Sequence, residues 1–509
     1  MELTIRDDQF VLQFPFSAET INKVKGCGLK FAPRIKAWVG KANVITAMSL
    51  SVAFPELGAR LDDYLPEEVN NWVPSPYLMA HQAEAGRIGL KEPRFGFFDD
   101  TGTGKTLSGI ELVKQKGIKT LVVCKLSLIV NAWMSDLSKF APELKAVNLW
   151  ALKGKKVQEH DIAIINYEQF RTTHKKLTGY KMVLADESSV LKDARSLTTK
   201  AMIEYCDQVL YVYLFSGTPA PNSPMEYWSQ MRIIDPALLG WSYYTFRNGY
   251  CYSTGFGGYT WKMKEDRREG FLEKIGRKSR VIRKEDVLDL PERTFNYRKI
   301  TLSKNEMEAY REMEANMLLE IGDQEIISAN AAVKIMKLRQ GTSGFYYDTE
   351  GKPHVYGFSK LDALMELLEE IGNHQVIIWT QFHHEADEIQ RMLHVNCCRV
   401  DGTITSQNAK DNMVQAFMAG QVQYLISHPA SLGHGVTLTN CSYAVYFSLS
   451  HSYELAYQSQ DRIYRHGQRN ACTYYYLIAE KTVDEAIVAA LEQKEDTAQK
   501  VFDYLRRNQ

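Results

Sequence analysis

Short apolar runs alternate with longer amphipathic segments through most of the chain. The first series of apolar runs lies at residues 95–98, 120–124, 162–165, 182–185 and 209–215. A short run that is apolar throughout predicts a strand buried on both faces, and strands that alternate with helical segments predict a parallel sheet wrapped by helices. The first series therefore predicts an α/β lobe.

A second series of apolar runs lies nearer the C-terminus, at residues 376–379, 424–426, 443–447 and 474–478. It predicts a second lobe of the same kind, and alternating apolar positions at residues 10–14 begin a separate small module. We expect an α/β chain with four parts: a small α+β N-terminal module at 1–73, parallel-sheet lobes at 74–240 and 359–509, and a helical, basic insertion and linker at 241–358.

Composition narrows the class of protein. Hydrophobic residues make up 45% of the chain and charged residues 24%, as in ordinary globular proteins. Because 61 basic residues balance 61 acidic ones, any contact with nucleic acid must come from local basic surface. The eight cysteines lack the spacing of a zinc site or a disulfide framework. No apolar run approaches the roughly 20 residues that cross a bilayer, and no signal peptide opens the chain, so we expect no membrane partner and a cytoplasmic protein.

A phosphate-binding loop is predicted between the first strand and the next helix. Its residues are Asp99, Asp100, Thr101, Gly102, Thr103, Gly104, Lys105 and Thr106. The glycines let backbone N–H groups approach phosphates, Lys105 reaches the terminal phosphates, and the Thr106 hydroxyl can bind magnesium. Asp99 departs from the general pattern, which has Gly at that position. The alternative is a Gly-rich turn that merely precedes a helix.

Two adjacent acids, Asp186 and Glu187, follow the apolar run at residues 182–185. At the end of a second strand of the same sheet, Asp186 would hold magnesium through water, and Glu187 would orient or deprotonate the attacking water. The alternative is a strand end at which Asp and Ser cap the next helix.

A pair of arginines, Arg462 and Arg465, provides a third candidate element. Their spacing places both guanidinium groups on one face if the segment is helical. Planar, permanently charged groups suit a γ-phosphate whose charge must be stabilised during transfer, which is the arginine-finger role. The alternative is a solvated arginine pair.

In this order, the three elements resemble the SWI/SNF-like branch of helicase superfamily two, ATP-driven motors that track along double-stranded DNA. The resemblance covers most of the chain after about Pro76. It implies two RecA-like lobes with ATP and Mg²⁺ bound between them, and an adenine-reading segment containing Tyr77 and Gln82. It also explains Asp99, since this branch carries Asp at that position of the phosphate loop.

The resemblance extends beyond the three elements. Residues 121–133 resemble the segment that contacts the DNA backbone, and residues 216–219 resemble the element that couples hydrolysis to lobe movement. Ser189 and Thr437 depart from the family, which usually has His and Asn there. We therefore expect hydrolysis to be retained and coupling between the lobes to be tuned differently.

Two weaker resemblances concern origin and DNA structure. Residues 428–435 resemble compact members of the family from bacteriophages and prophages, which places the protein in the host cytoplasm if it is viral. Residues 10–16, with Lys25, Phe31 and Trp38, resemble the HARP-type module of annealing helicases, although a small β-rich core also needs such aromatics. Candidate DNA contacts are the basic stretch at 267–284, whose interleaved acids equally suit a solvated face, and a loop tip at 255–259.

The resemblance implies an ATP-dependent DNA translocase or helicase that acts as a monomeric motor in replication, recombination or repair. Its DNA would be double-stranded, forked or branched, and its protein partners are unknown. Two alternatives remain: a phosphotransferase with a small-molecule product, and an annealing or branched-DNA scaffold with weak ATP turnover. The sequence does not distinguish strand separation, annealing, fork reversal and protein displacement.

Overall fold

The chain forms two compact units in a computed structural model that describes residues 1–65, 72–152, 158–254, 260–322, 328–432 and 436–507. The first unit comprises Met1–Val287 with Thr497–Gln509, and the second comprises Leu288–Asp496. None of the helices within these described ranges combines the length and the apolar character needed to span a bilayer.

The N-terminal module is a four-stranded antiparallel sheet with two helices. Its elements are β1 (Glu2–Arg6), β2 (Gln9–Gln13), α1 (Ala18–Gly26), β3 (Lys30–Ala32), β4 (Ala37–Lys41) and α2 (Val44–Ala53), with the strand order β1-β2-β4-β3. Asp7 and Asp8 both have positive φ, which suits a tight hairpin between β1 and β2. The alternating Phe10 and Leu12 are completely buried, as a sheet with one core-facing side requires.

The module is attached to the rest of the first unit through Trp241. The Trp241 indole N–H donates to the Gly26 carbonyl at 2.8 Å. Gly28 has φ +82°, and a Cβ there would lie 2.7 Å from the Trp241 ring, so only glycine permits this approach. A second link joins the Ile45 N–H to the Asp207 carbonyl at 3.2 Å.

The first unit contains a seven-stranded parallel sheet with the order β13-β5-β10-β9-β6-β8-β7. Besides β1 to β4 of the N-terminal module, the strands of this unit are β5 (Arg94–Phe97), β6 (Thr120–Cys124), β7 (Ala146–Asn148), β8 (Ile162–Asn166), β9 (Met182–Asp186), β10 (Tyr211–Phe215), the hairpin β11 (Cys251–Thr254) and β12 (Thr260–Met263), and β13 (Ser279–Arg280). All residues of the central strands are buried, because helices cover both faces of the sheet.

Within the described residues, eleven α-helices accompany these strands. They are α3 (Ala80–Lys91), α4 (Lys105–Lys116), α5 (Leu126–Leu128), α6 (Ser135–Phe140), α7 (Tyr167–Thr173), α8 (Leu197–Cys206), α9 (Tyr227–Ile234), α10 (Pro236–Leu239), α11 (Tyr243–Tyr250), α12 (Glu265–Gly276) and α13 (Lys284–Val287). A π-helical turn, Ile129–Met134, lies between α5 and α6.

The second unit has a six-stranded parallel sheet with the order β14-β21-β20-β17-β19-β18. The strands of this sheet are β14 (Arg293–Ile300), β17 (Val376–Trp379), β18 (Cys397–Val400), β19 (Tyr424–Ser427), β20 (Tyr443–Tyr446) and β21 (Cys472–Ala479). Strands β15 (Phe345–Tyr347) and β16 (Pro353–Val355) form a separate hairpin. The helices of the second unit are α14 (Lys304–Gly322), α15 (Ser328–Thr342), α16 (Ser359–Ile371), α17 (His383–Leu393), α18 (Gln407–Met418), α19 (Tyr453–Gln460) and the first part of α20 (Val483–Arg507), whose residues from Thr497 onward belong to the first unit.

The predicted fold class is confirmed: two parallel-sheet α/β lobes and a small α+β module. The region predicted as a helical insertion and linker, residues 241–358, also contributes strands to the two large sheets. It supplies β13 to the first sheet and β14 to the second. The domain boundaries drawn from the sequence stay predictions.

Candidate functional site

Three sequence motifs meet at one edge of the first sheet. The phosphate loop follows β5, segment 216–219 follows β10, and the acid pair lies at the end of β9, whose last residue is Asp186. These three strands are parallel neighbours, so their carboxyl ends lie at the same edge. In open α/β sheets this edge is where ligands bind.

The phosphate loop leads directly into helix α4. Gly102 and Gly104 have φ of +82° and +79°, the left-handed region that favours glycine. A Cβ on Gly104 would lie 2.3 Å from Gln82 Nε2, so the loop lies close against α3. The first N–H groups of α4 have no partner within the helix, and they suit an anion.

Lys105 and Thr106 begin this helix and are partly buried. Lys105 Nζ donates to the carbonyls of Asp99 at 2.9 Å and Asp100 at 2.8 Å. The Thr103 hydroxyl also donates to the Asp100 carbonyl, at 2.8 Å. The ammonium is thus held over the loop by neutral acceptors, which a charged phosphate oxygen can replace with stronger bonds.

The carboxylates of Asp99 and Asp100 anchor the loop. Arg280 donates to Asp99 through Nε at 3.2 Å and Nη2 at 2.6 Å, and both side chains are buried. Asp100 Oδ2 accepts the Lys284 N–H at 3.1 Å. Both acids stay predicted cofactor-binding residues, and their side chains, directed to β13 and the residues after it, fix the position of the loop backbone.

Gln82 also supports the phosphate loop. Its Nε2 donates to the Thr103 carbonyl at 3.1 Å, and its Oε1 accepts the Met79 N–H at 3.0 Å. His81 Nε2 lies 2.7 Å from the same Thr103 carbonyl. The segment that resembles an adenine reader is therefore held directly against the phosphate loop.

Asp186 is buried at the end of β9. Its Oδ2 accepts the Trp133 indole N–H at 2.9 Å, and its Oδ1 accepts the Glu187 N–H at 3.0 Å. Burial and then the neighbouring Glu187 charge raise the pKa of Asp186 to about 6, against the lowering effect of the Trp133 hydrogen bond and of Lys105. A bound cation would favour the charged carboxylate.

Glu187 has an unusual backbone conformation and an unsatisfied carboxylate oxygen. Its φ of +56° lies in the left-handed region, which is uncommon for any residue except glycine. Within the described part of the chain, three buried oxygens at this edge have no hydrogen-bond partner: Glu187 Oε2, Thr101 Oγ1 and Thr218 Oγ1. Such atoms are rare in folded proteins, and they fit a site that takes a nucleotide, water and a metal ion.

Trp133 lies in the site, although the sequence predicts it as part of a segment that contacts DNA. It ends the segment expected to contact the DNA backbone, yet its side chain is completely buried and bonded to Asp186. The sequence carries no signal for this bond, because a tryptophan in an apolar helical stretch predicts only core packing.

The basic stretch proposed for DNA contact is largely engaged within the protein. Arg280 is bonded to Asp99, Lys284 is completely buried, and Lys278 pairs with Glu92 at 2.5 Å. These three residues support the phosphate loop and its strand. The predicted loop tip at 255–259 lies outside the described residues.

Arg462 and Arg465 lie in the second unit and not on a helix. Helix α19 ends at Gln460, so the expectation of a shared helical face is wrong. Arg462 is 2% exposed and donates from Nη1 to the Val436 carbonyl at 3.2 Å. Arg465 is partly exposed, and its Nη1 donates to the Thr437 hydroxyl at 3.2 Å. Thr437, at which this chain departs from the family, thus contacts Arg465 directly.

Gln468 holds the turn that carries both arginines. Its Nε2 donates to the carbonyls of Cys441 at 2.9 Å and Ile463 at 3.0 Å, and its Oε1 accepts the N–H groups of Arg469 and Asn470, both at 2.9 Å. All four bonding positions of the amide are used. Residues 433–435 of the neighbouring motif lie outside the described residues.

The fold and the first-unit site define a phosphate-loop nucleotide-binding protein with two parallel-sheet lobes. Comparison with known protein families supports this class. Residues 95–344 match the SNF2-related domain, and residues 359–467 match the helicase conserved C-terminal domain. The chain belongs to the SNF2 family of helicase superfamily two, which confirms the resemblance seen in the sequence.

Several curated proteins align with most of this chain. A SWI/SNF-related matrix-associated actin-dependent regulator of chromatin subfamily A-like protein 1 homolog of Caenorhabditis elegans is 25% identical over 82% of this chain and 61% of its own length. Protein p41 of Acyrthosiphon pisum secondary endosymbiont phage 1 is 22% identical over 80% and 93%. An uncharacterized ATP-dependent helicase of Mycoplasma pneumoniae is 25% identical over 81% and 41%.

The chain thus spans less than two thirds of the two cellular relatives and nearly all of the phage protein. Among solved structures, the Sulfolobus solfataricus SWI2/SNF2 ATPase core in complex with dsDNA is 23% identical, with a TM-score of 0.40 over 86% of this chain and 94% of that one.

Proposed function

We propose that this chain is a DNA-dependent ATPase that converts ATP hydrolysis into movement along double-stranded DNA. The observation that carries the proposal is the meeting of the phosphate loop, the acid pair and segment 216–219 at one sheet edge, where three buried oxygens have no partner within the described residues. The ATP-dependent helicase among the relatives supports the same activity.

Each phosphate-loop residue has a distinct task in this proposal. Lys105 exchanges its carbonyl acceptors for phosphate oxygens, and the N–H groups at the start of α4 bind the same phosphates. Thr106 and Asp186 are the residues that would hold Mg²⁺, since a hydroxyl and a carboxylate are the oxygen ligands it prefers. When bound, Mg²⁺ supplies positive charge against the terminal phosphates.

Glu187 acts on the attacking water. Its unpartnered Oε2 is the acceptor for a water proton, and Asp186 next to it is held by Trp133. Because Glu187 is adjacent to Asp186 and both are buried, the charge of Glu187 disfavours the charged form of Asp186. A cation at Asp186 leaves Glu187 as the base.

The two arginines have different tasks in the proposal. Arg465 is partly exposed, so its guanidinium is accessible to a γ-phosphate, whose charge it would stabilise during transfer. Arg462 is buried and tied to the Val436 carbonyl, and it keeps the turn in shape. Arg465→Ala should therefore reduce turnover while preserving stability, and Arg462→Ala should reduce both.

The finer role we propose is remodelling of forked or branched DNA during replication, recombination or repair, by a monomeric motor. The N-terminal module, fixed to the first unit by Trp241, would bind the DNA structure. The match to nearly the full length of a phage protein supports a phage-type origin, with the host cytoplasm as its location.

The test is the ATPase rate with no DNA and with single-stranded, double-stranded and forked DNA, paired with strand-displacement and annealing assays. A motor hydrolyses ATP much faster with DNA. Slow turnover that is equal on every DNA, together with tight binding of branched DNA, would instead identify an annealing scaffold, and a phosphorylated small molecule would identify a phosphotransferase.

A further inference from the structure

Helix α9 holds the turn that carries Glu187. The Ser188 hydroxyl donates to Gln230 Oε1 at 2.8 Å, and the Ser229 hydroxyl donates to the Leu191 carbonyl. Gln230 and Ser229 are adjacent on α9, whose residues are all buried. The two bonds fasten both ends of the turn that begins at Glu187.

Gln230 also reaches the segment that follows β10. Its Nε2 donates to the Pro219 carbonyl at 2.7 Å, and more weakly to the Glu226 carbonyl at 3.4 Å. The carboxamide therefore bridges Ser188 on one side and Pro219 on the other. Ser188 and Gln230 are both completely buried, so neither bond competes with water.

Segment 216–219 in turn touches the phosphate loop. A Cβ on Gly217 would lie 2.8 Å from Thr101 Cγ2 and 3.0 Å from the Thr101 backbone nitrogen. The Thr218 N–H donates to the Ser216 hydroxyl at 3.2 Å, which keeps the segment tight. A continuous chain of contacts thus runs from the acid pair through Gln230 to the phosphate loop.

Glu187 needs such support because of its backbone conformation. A non-glycine residue with φ of +56° is strained and persists only where its surroundings hold it. Ser188 is the next residue, so its bond to Gln230 limits the rotation that would relax Glu187. Any movement of segment 216–219 then acts on the geometry of Glu187.

We propose that Ser188 and Gln230 are positioning residues that link the water-activating Glu187 to segment 216–219. The inference rests on the proposed function and deepens it. The sequence indicated Ser189 as the residue at which coupling differs from the family, whereas this link uses the hydroxyl of Ser188. Loss of the link should leave ATP binding intact and reduce the acceleration of hydrolysis by DNA.

The test compares Ser188→Ala, Gln230→Met and the double variant in full-length protein. Each single change should lower the DNA-stimulated rate about tenfold, which corresponds to about 1.4 kcal/mol. The KM for ATP should stay within about twofold of wild type, and the rate without DNA should fall less than the DNA-stimulated rate does. The double variant should be no worse than Gln230→Met alone, because the bond that Ser188→Ala removes is already absent in Gln230→Met.

Tyr205→Phe is the matched control, since it removes one hydroxyl hydrogen bond, to the Leu177 carbonyl at 2.9 Å, elsewhere in the first unit. It should change the melting temperature as much as Ser188→Ala does, without changing stimulation by DNA. If Ser188→Ala does not fold, Ser188→Cys keeps a donor at the same position, in a slightly larger side chain, and weakens the bond.

The possible outcomes separate the two proposals. Wild-type protein whose ATPase ignores DNA refutes both the motor and this link. A DNA-stimulated wild type with unaffected variants refutes the link alone. Additive effects of the two changes, or an equal loss with and without DNA, would also overturn it and assign the pair to general stability.

Discussion

The buried pair between Asp99 and Arg280 should be essential for the stability of the first unit. The Asp99 carboxylate accepts from Arg280 Nε at 3.2 Å and Nη2 at 2.6 Å, and the two side chains are 2% and 5% exposed. The guanidinium also lies 5.0 Å from the centre of the Phe97 ring. We predict that Arg280→Met destabilises the unit strongly, since it leaves the Asp99 charge buried and unpaired.

The size of the effect follows from burial. Breaking a buried pair by removing one partner costs about 3–5 kcal/mol. For a unit of this size, with an unfolding entropy of about 2.1 cal/mol/K per residue, that corresponds to a fall in melting temperature of roughly 5–8 °C. Replacing both partners, as in Asp99→Asn with Arg280→Met, removes the unpaired charge and should recover a large part of the loss.

Thermal unfolding of the nucleotide-free protein measures this effect, and Arg277→Met is the matched control. Arg277 pairs with Glu273 at 2.6 Å, but both side chains are more than half exposed. Such a surface pair contributes about 0.2–1 kcal/mol. If Arg280→Met shifts the melting temperature no more than Arg277→Met does, the reasoning about the buried anchor of the phosphate loop is refuted.

Three further predictions concern the hydrolysis site. Lys105→Ala should weaken ATP binding in a fluorescent-nucleotide titration because it removes the cation of the phosphate loop, and unchanged affinity would contradict the loop assignment. Trp133→Phe should lower kcat roughly tenfold or more in a steady-state ATPase assay, because it removes the indole bond to the Asp186 carboxylate; an unchanged kcat would show that this bond is not needed. Because folding raises the pKa of Asp186 from 3.8 to about 6, the stabilisation by its protonated form is complete below about pH 4 and is lost as pH rises through 6. Wild type should therefore lose about 1 kcal/mol of unfolding free energy relative to Asp186→Asn between about pH 5 and pH 7.5. Thermal unfolding without nucleotide measures this difference, and a difference that does not change with pH would contradict the raised pKa.

The two sheets and the phosphate loop were predictable from the sequence for a physical reason. Strands buried on both faces, such as β6 and β9, must be apolar throughout, so they appear as uninterrupted runs. The left-handed Gly102 and Gly104 appear as glycines because other residues are strained there.

The supports of the site were not predictable, because they depend on contacts between residues distant in sequence. Strand β13 has two residues, too few to show a pattern, so Arg280 was read as a surface cation. Trp133 and Gln230 lie in apolar helical segments, where nothing local reveals a polar partner. The helix expected at Arg462 and Arg465 ends before them, since spacing alone does not locate the end of a helix.

The most direct test of the motor assignment is the ATPase rate of wild type and Glu187→Gln, each with and without double-stranded DNA. Wild-type turnover should rise sharply with DNA. In Glu187→Gln, turnover should fall by at least about 100-fold under both conditions, while ATP is still bound. A DNA-independent wild-type rate, or wild-type turnover in Glu187→Gln, would contradict the account.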